Sequence, residues 1–192
     1  LGGDAVVSSD NPTPEAFLAK ARELGLSVVS TMGFPTMARA TDEQGGAAKL
    51  VALKVVEPGY PLRGALRTAP ALNQPDSETQ ETPARGTVWL DERLTAALET
   101  KVGDVVRLGS ASFAVSAVLT LEPDRGVNFF NIAPRLMMHI DDLPATQLIQ
   151  IGSRVTWRLH LAGEAKAVAA YRKWAEARLG RGERVESLDN AR

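Results

Sequence analysis

Residues 154–161 alternate strictly between polar and apolar side chains, and this pattern limits the fold more than any other. The apolar members are Val155, Trp157, Leu159 and Leu161, and the polar members are Arg154, Thr156, Arg158 and His160. A repeat of two residues is typical of a strand with one buried face. A helix is predicted over about 164–179, where Gly180 can end it. The chain therefore closes with a strand followed by a helix.

The chain opens with the same pair of elements. Residues 5–8 form a short apolar run typical of a strand, and the stretch NPTPEAFLAKARELG follows it. Thr13 can cap a helix there, Pro14 suits its first turn, and Gly25 can end it. Two strands are then predicted, at 26–40 and 49–56, with the polar turn TDEQGG between them. The order of elements at this end is β-α-β-β.

A different composition separates these strands from the middle of the chain. The stretch 69–85, APALNQPDSETQETPAR, lacks nearly every large apolar residue and contains three prolines. It is predicted to be a flexible loop without regular elements. After it, a strand at 87–90, a short helix capped by Asp91 and a hairpin of strands turning at Gly109 and Ser110 indicate a small β-rich unit. In the second strand of that hairpin, alternate residues from Phe113 to Leu121 are predicted to share a face.

These patterns together predict an α+β fold with a discontinuous arrangement. Residues 1–68 and 151–192 are predicted to form one α/β subdomain built from both termini. Residues 86–150 are predicted to form a β-rich subdomain inserted into it.

Composition excludes several classes of function. The 22 Lys and Arg residues balance 23 Asp and Glu residues, and no dense basic run occurs, which disfavours a protein that tracks nucleic-acid phosphates. The absence of cysteine excludes disulfides, zinc–cysteine sites and thiol nucleophiles. No apolar stretch approaches the roughly 18 residues that a membrane span requires. The abrupt ends, LGGDAVV and SLDNAR, are expected of a segment from a longer protein.

The residue types that commonly act in catalysis form no recognisable motif in this sequence. His139 and His160 have no partner at metal-ligand spacing. His160 lies on the polar side of its strand, so we expect it to face solvent, and we expect His139 to be structural. The adjacent Asp141 and Asp142 are expected to be solvated or capping groups. Neither a GxSxG elbow nor a phosphate-binding glycine loop occurs. The chain is therefore predicted to be no enzyme and to need no cofactor, with a hydrolase using His139 and Asp141 or Asp142 as a less favoured alternative.

The stretch FFNIAPRLMM provides the candidate binding residues, which are Phe129, Phe130, Met137 and Met138. Packing in the core is favoured over an exposed surface, since apolar side chains are usually buried. An exposed position has its own support, because adjacent phenylalanines in a strand point to opposite faces and flexible thioethers suit varied apolar partners. The alternative function is a stand-alone periplasmic module that binds an apolar ligand there.

Several segments together resemble one family. They are VVSSDNPTPEAF, FPTMARA, LVALKVVEPGYPLRGALR, GTVWLDERLTAALETKVGDVVRLG, FAVSAVLTLEPDRG and FFNIAPRLMMHIDDLPATQLIQIGSRV. They resemble the first periplasmic domain of YbbP-type permeases, which belong to the FtsX-like and MacB-like class of ABC transporters. The resemblance covers nearly the whole chain. It implies a porter-like subdomain with an inserted β-rich subdomain similar to the one called Sabre in MacB.

The resemblance also implies a function. The parent would be an inner-membrane protein whose transmembrane helices flank this periplasmic domain. A cytoplasmic ABC ATPase would hydrolyse ATP, and the domain would pass the resulting movement to the periplasm, a process called mechanotransmission. A periplasmic esterase or a hydrophobic, lipid-like cargo would be its partner. No site residue or cofactor is implied for the domain itself.

Overall fold

The computed structural model describes residues 2–123, 132–150 and 152–187. These residues form one mixed, eleven-stranded sheet with four short α-helices, which confirms the predicted α+β class. The strands are β1 (Ala5–Ser9), β2 (Ser27–Ala40), β3 (Ala48–Val56), β4 (Leu66–Ala69), β5 (Ser77–Thr79), β6 (Thr87–Asp91), β7 (Val105–Leu108), β8 (Ala111–Leu121), β9 (Arg135–His139), β10 (Thr156–Ala162) and β11 (Glu183–Ser187). The helices are α1 (Glu15–Glu23), α2 (Glu92–Ala97), α3 (Leu143–Thr146) and α4 (Ala165–Glu176).

The strand order brings the two ends of the chain together. It is β11-β1-β10-β2-β3-β9-β6-β8-β4-β5, and β7 pairs with both β2 and β8 beside this path. Strand β1 lies between β10 and β11 and is antiparallel to both. Strand β11 was not predicted. Its sequence, ERVES, is short and mostly polar, so it lacks the apolar alternation that identified β10.

Helices α1 and α4 cover one face of the terminal strands and enclose the first of three cores. The buried members of this terminal core are Ala5, Val7, Phe17, Ala21, Leu26, Leu159, Leu161, Tyr171, Ala175 and Val185. Burial raises the pKa of Tyr171, whose hydroxyl donates to the Phe17 carbonyl oxygen at 3.0 Å. Gly25 ends α1 as predicted, with a φ of +72°. Thr13 does not cap that helix, because Pro14 occupies the N-cap position and no side chain caps it.

The remaining strands enclose two further cores, one on each face. The inner core contains Phe34, Ala38, Val51, Leu53, Val88, Leu90, Leu94, Phe113, Val115, Leu136 and Met138 among its buried members. The outer core contains Val29, Val56, Tyr60, Leu66, Trp89, Leu119 and Met137. Asp91 caps α2 as predicted, since its carboxylate accepts from Leu94 N at 2.8 Å. Among the described residues, no helix has the length and apolar character needed to cross a bilayer.

The predicted alternation along β8 holds only for its first half. Phe113 and Val115 are buried, but the register with β6 shifts between Val88 and Trp89. Such a bulge inserts an extra residue, so Leu119 lies in the outer core, whereas Phe113 and Val115 lie in the inner core. Leu121, at the end of the strand, is 52% exposed, and its prediction as a member of the buried face was wrong.

The stretch 69–85 contains more regular structure than predicted, because β5 lies within it and pairs with β4. Charged contacts hold it in place. Arg67 donates to both carboxylate oxygens of Asp76, at 3.0 and 3.1 Å, and Thr120 donates to Asp76 at 2.6 Å. The Arg67 and Thr120 donors lower the pKa of Asp76 to about 2. The prediction that this stretch has no regular element was therefore wrong for β5, beside which an ion pair takes the place of apolar packing.

Candidate functional site

Strand β9 carries two of the four residues predicted to bind a partner. Met137 and Met138 are both fully buried, on opposite sides of the sheet. Strand β9 pairs with β3 on one side and β6 on the other, and a core covers each face of this part of the sheet. Met138 lies in the inner core and Met137 in the outer core. The structure thus places both thioethers in core packing rather than on a contact surface. Phe129 and Phe130 lie outside the described residues, and the binding role of that pair stays a prediction.

A buried ion triplet lies beside β9. Glu122 follows β8 and Arg135 begins β9, and Arg135 Nε lies 2.6 Å from Glu122 Oε1. Lys54 Nζ on β3 lies 3.4 Å from Glu122 Oε2. The three side chains are at most 5% exposed. Burial of an unpaired charge is costly, and within the described residues the Glu122 carboxylate faces both of these cations.

Backbone contacts extend the triplet toward α2 and β3. The amide of Arg135 donates to Asp91 Oδ2 at 2.9 Å, while the other oxygen of Asp91 caps α2. Arg135 Nη1 also donates to the Ala52 carbonyl oxygen at 3.4 Å. One arginine thereby joins the starts of β9 and α2 to the middle of β3.

Polar contacts also extend the triplet toward the terminal strands. Lys54 Nζ donates to the Tyr60 hydroxyl at 2.7 Å. The Tyr60 ring meets the His160 ring edge to face, with centroids 5.3 Å apart. His160 Nε2 on β10 lies 3.0 Å from Thr31 Oγ1 on β2. The residues Thr31, His160, Tyr60, Lys54, Glu122, Arg135 and Asp91 form what we call the junction network, which reaches from β10 to α2.

The burial of His160 corrects the prediction that it faces solvent. Its side chain lies on the face of β10 opposite the helices, and that face would be open if the sheet were covered on one side only. The segment between β3 and β4 folds over it, however, and places Tyr60 against the imidazole. The alternation of β10 identified the two faces correctly, but a pattern within one strand does not show what covers its second face.

The residues weighed for catalysis have structural contacts. Asp142 is buried, and its carboxylate accepts from Arg85 Nε at 2.8 Å and from Gly86 N at 2.7 Å. His139 Nδ1 accepts from Asp141 N at 2.9 Å. These are the roles of a loop anchor and a turn cap. In the described part of the chain, no three His, Asp or Glu side chains are grouped to hold a metal ion.

The members of the junction network were not singled out from the sequence, apart from Asp91 as a cap and His160 as a strand residue. A signal for two of them existed. Lys54 stands inside the apolar run LVALKVV, and Arg135 directly precedes LMM. A charged side chain inside an apolar strand is almost never fully buried unless it is paired. The partner, Glu122, is distant from Lys54 in sequence and could not be identified without the fold.

Comparison with known proteins shows similarity to a transporter permease. No family model matches it. It is 36% identical over 174 residues, or 91% of its length, to a protein of Escherichia coli described as the uncharacterized ABC transporter permease YbbP. The chain spans 20% of the length of that protein. The resemblance predicted from the sequence is thus confirmed.

Solved structures share the fold at low sequence identity. A domain of a protein described as a permease from Porphyromonas gingivalis matches 98% of this chain and 92% of its own, with a TM-score of 0.56 and 10% identity. The extracellular domain of the transporter YknZ from Gram-positive bacteria matches 95% of this chain and 100% of its own, with a TM-score of 0.55 and 11% identity. The periplasmic region of MacB from Actinobacillus actinomycetemcomitans matches 100% of this chain and 92% of its own, with a TM-score of 0.55 and 12% identity. At these identities the likeness concerns the fold alone.

Proposed function

The chain is a relative of one segment of the permease YbbP, and from this premise we propose that it is a non-catalytic periplasmic domain of an inner-membrane ABC transporter permease. The identity to YbbP supports membership of a permease. The fold it shares with the periplasmic region of MacB supports the periplasmic side. The structural contacts of His139, Asp141 and Asp142 support a role without catalysis.

We further propose that the domain couples ATPase-driven motion to a periplasmic partner or to a hydrophobic, lipid-like cargo. The continuity of β2 carries this proposal. Its residues 27–33 pair with β10 in the terminal part of the sheet, and its residues 38–40 pair with β7 in the β-rich part. A bend in the middle of β2 would break ladder hydrogen bonds to β3, which pairs with residues 31–39. Movement of the terminal part is therefore passed on rather than absorbed.

The junction network supports the same proposal by joining the two parts through side chains. His160 and Thr31 belong to the terminal part, whereas Glu122, Arg135 and Asp91 belong to the β-rich part. The partners of this domain would be a cytoplasmic ABC ATPase, which acts through the parent permease, and a periplasmic protein such as an esterase. Coupling requires two states that the ATPase cycle favours differently.

The location is tested by finding the native protein. An antibody against this domain is used on fractionated cells and on spheroplasts treated with protease. We expect a band much larger than 20.5 kDa in the inner membrane, cleaved from the periplasmic side. A soluble band near 20.5 kDa would contradict the permease proposal.

The coupling is tested with spin labels on the full-length permease with its ATPase in nanodiscs. Labels are attached at the exposed positions Lys173, on α4, and Lys101, beside β7. We expect the same interlabel distance distribution with ADP and with a non-hydrolysable ATP analogue, because a rigid domain moves as one body. A distance that changes with the nucleotide would show that the two parts move independently and would rule out rigid coupling.

A further inference from the structure

The outward side of the β2–β3 hairpin carries two apolar side chains that face each other. Met37 on β2 is paired in register with Leu50 on β3, and they are 50% and 43% exposed. The neighbouring strand pair, β2 and β7, places Arg39 directly opposite Arg107, and both are exposed. Leu148 lines the same cleft as Met37 and both arginines, a space of about 710 Å³. We call Met37, Arg39, Leu50, Arg107 and Leu148 the hairpin face.

The two arginines are arranged unfavourably within the isolated chain. Like charges placed opposite each other on neighbouring strands destabilise a sheet, and cross-strand side chains start only about 5 Å apart. Asp42 and Glu43 line the cleft as well. In the described part of the chain, however, neither guanidinium forms an ion pair or a side-chain hydrogen bond with any carboxylate. Both guanidiniums are therefore exposed to solvent and available to a carboxylate of a partner.

We propose that the hairpin face is the docking surface for a periplasmic protein that presents an acidic side chain next to an apolar one. A carboxylate would accept paired hydrogen bonds from Arg39 or Arg107, the geometry in which guanidinium binds most strongly. The apolar neighbour would cover Met37 and Leu50. Methionine and arginine are enriched at protein interfaces, whereas lysine is depleted. This inference deepens the coupling role and rests on it, because it specifies which surface meets the partner.

Other occupants fit the surface less well. Membrane surfaces that recruit proteins by charge use clusters of roughly four to eight Lys or Arg side chains, and this face has two. A small anion is held by converging, desolvated donors, whereas both guanidiniums here are exposed. A protein segment satisfies the charges and covers the apolar pair at the same time.

The test uses the full-length protein in its own cells, with a photo-crosslinking amino acid in place of Met37. The control carries the same group at Ala170, an exposed position on α4 in the terminal part. Each is made with the native arginines and with the double substitution R39Q/R107Q. Adducts are separated by mass and their crosslinked peptides are sequenced.

We expect a protein adduct at position 37 that is absent at position 170, and a contacted peptide that carries Asp or Glu beside an apolar residue. R39Q/R107Q should reduce this adduct by about tenfold or more. The double variant should unfold at the same temperature as the wild type or a higher one, since a like-charge repulsion is removed. A markedly lower unfolding temperature would show that the arginines are structural and overturn the proposal.

The other outcomes also decide the question. An adduct that survives R39Q/R107Q, one with lipid only, one with a second copy of this chain, or no adduct would each reject the acidic-partner surface. Failure of the surface is distinguishable from failure of the coupling role. Inner-membrane location and a nucleotide-independent spin-label distance would stand in the first case and not in the second.

Discussion

Replacement of Glu122 by glutamine tests whether the buried triplet is formed as described. The carboxylate is 1% exposed and lies within ion-pair distance of Arg135 and Lys54. The substitution keeps the shape of the side chain but removes the buried negative charge that Arg135 and Lys54 both face. Removal of one partner from a buried ion pair costs about 3–5 kcal/mol. We expect E122Q to lower the free energy of unfolding by that amount.

The assay is urea denaturation of the 192-residue chain at neutral pH, followed by circular dichroism. The matched control is E15Q, which removes an ion pair with Arg22 between two exposed side chains. Exposed pairs are worth about 0–1 kcal/mol, so E15Q should change stability little. A loss for E122Q no larger than that for E15Q would refute the reasoning, because it would mean that the charges are not buried together.

A second variant separates loss of the charge pair from loss of fit. The triple substitution of Lys54 to Met, Glu122 to Leu and Arg135 to Met replaces all three ions by apolar groups of similar length. Such replacements are often neutral or stabilising, by up to about 4 kcal/mol. We expect the triple variant to be at least about 2 kcal/mol more stable than E122Q. Equal losses in both would indicate that side-chain shape, and not charge, determines the cost.

Three further predictions follow from individual contacts. M138A should lower the free energy of unfolding by about 2–5 kcal/mol, because it leaves a cavity in the inner core. The control M37A, at an exposed site, should change the free energy of unfolding by less than about 0.5 kcal/mol. Equal effects of the two substitutions would contradict the assignment of Met138 to the core. G109A should lower the thermal unfolding temperature far more than G86A. Both glycines have positive φ, but a Cβ at Gly109 would clash with the Thr146 carbonyl oxygen, whereas Gly86 has open space around it. The pKa of Asp76 is about 2 in the folded chain and 3.8 in the unfolded chain, so its stabilisation is present above pH 4 and is lost between about pH 4 and 2. D76N should therefore flatten the pH dependence of the free energy of unfolding in that window. An unchanged slope would reject the ion pair with Arg67.

The fold could be predicted from the sequence to the extent that its strands are amphipathic. Strand β10 and the helix after it were located from periodicity, and the cap at Asp91 from its position before an apolar pair. The bulge in β8 could not be predicted, since its position depends on the register with β6. Local pattern fixes where a strand lies, whereas pairing fixes which side chains it buries.

The candidate site was harder to predict, because its members come from distant parts of the chain. The four residues chosen from FFNIAPRLMM were selected for apolar character, and the two that the structure describes are core residues. The junction network joins Thr31 to His160 and Lys54 to Glu122, pairs separated by 129 and 68 positions. Its charged members Lys54 and Arg135 stand next to apolar residues in the sequence, so they form no cluster of functional groups along the chain.

Buried, paired charges between the terminal and the β-rich parts of the sheet define geometry more than they add stability. An apolar triplet at Lys54, Glu122 and Arg135 would hold the parts together at least as strongly, since buried ion pairs add little net stability. Apolar packing is non-directional, however, and tolerates small slips, whereas each hydrogen bond of Arg135 requires one position of β3, β8 and α2. A coupling domain needs a defined angle between its parts more than it needs extra stability. The junction network therefore supports the proposed function by setting geometry, and in that proposal the continuous strand β2 passes the motion on.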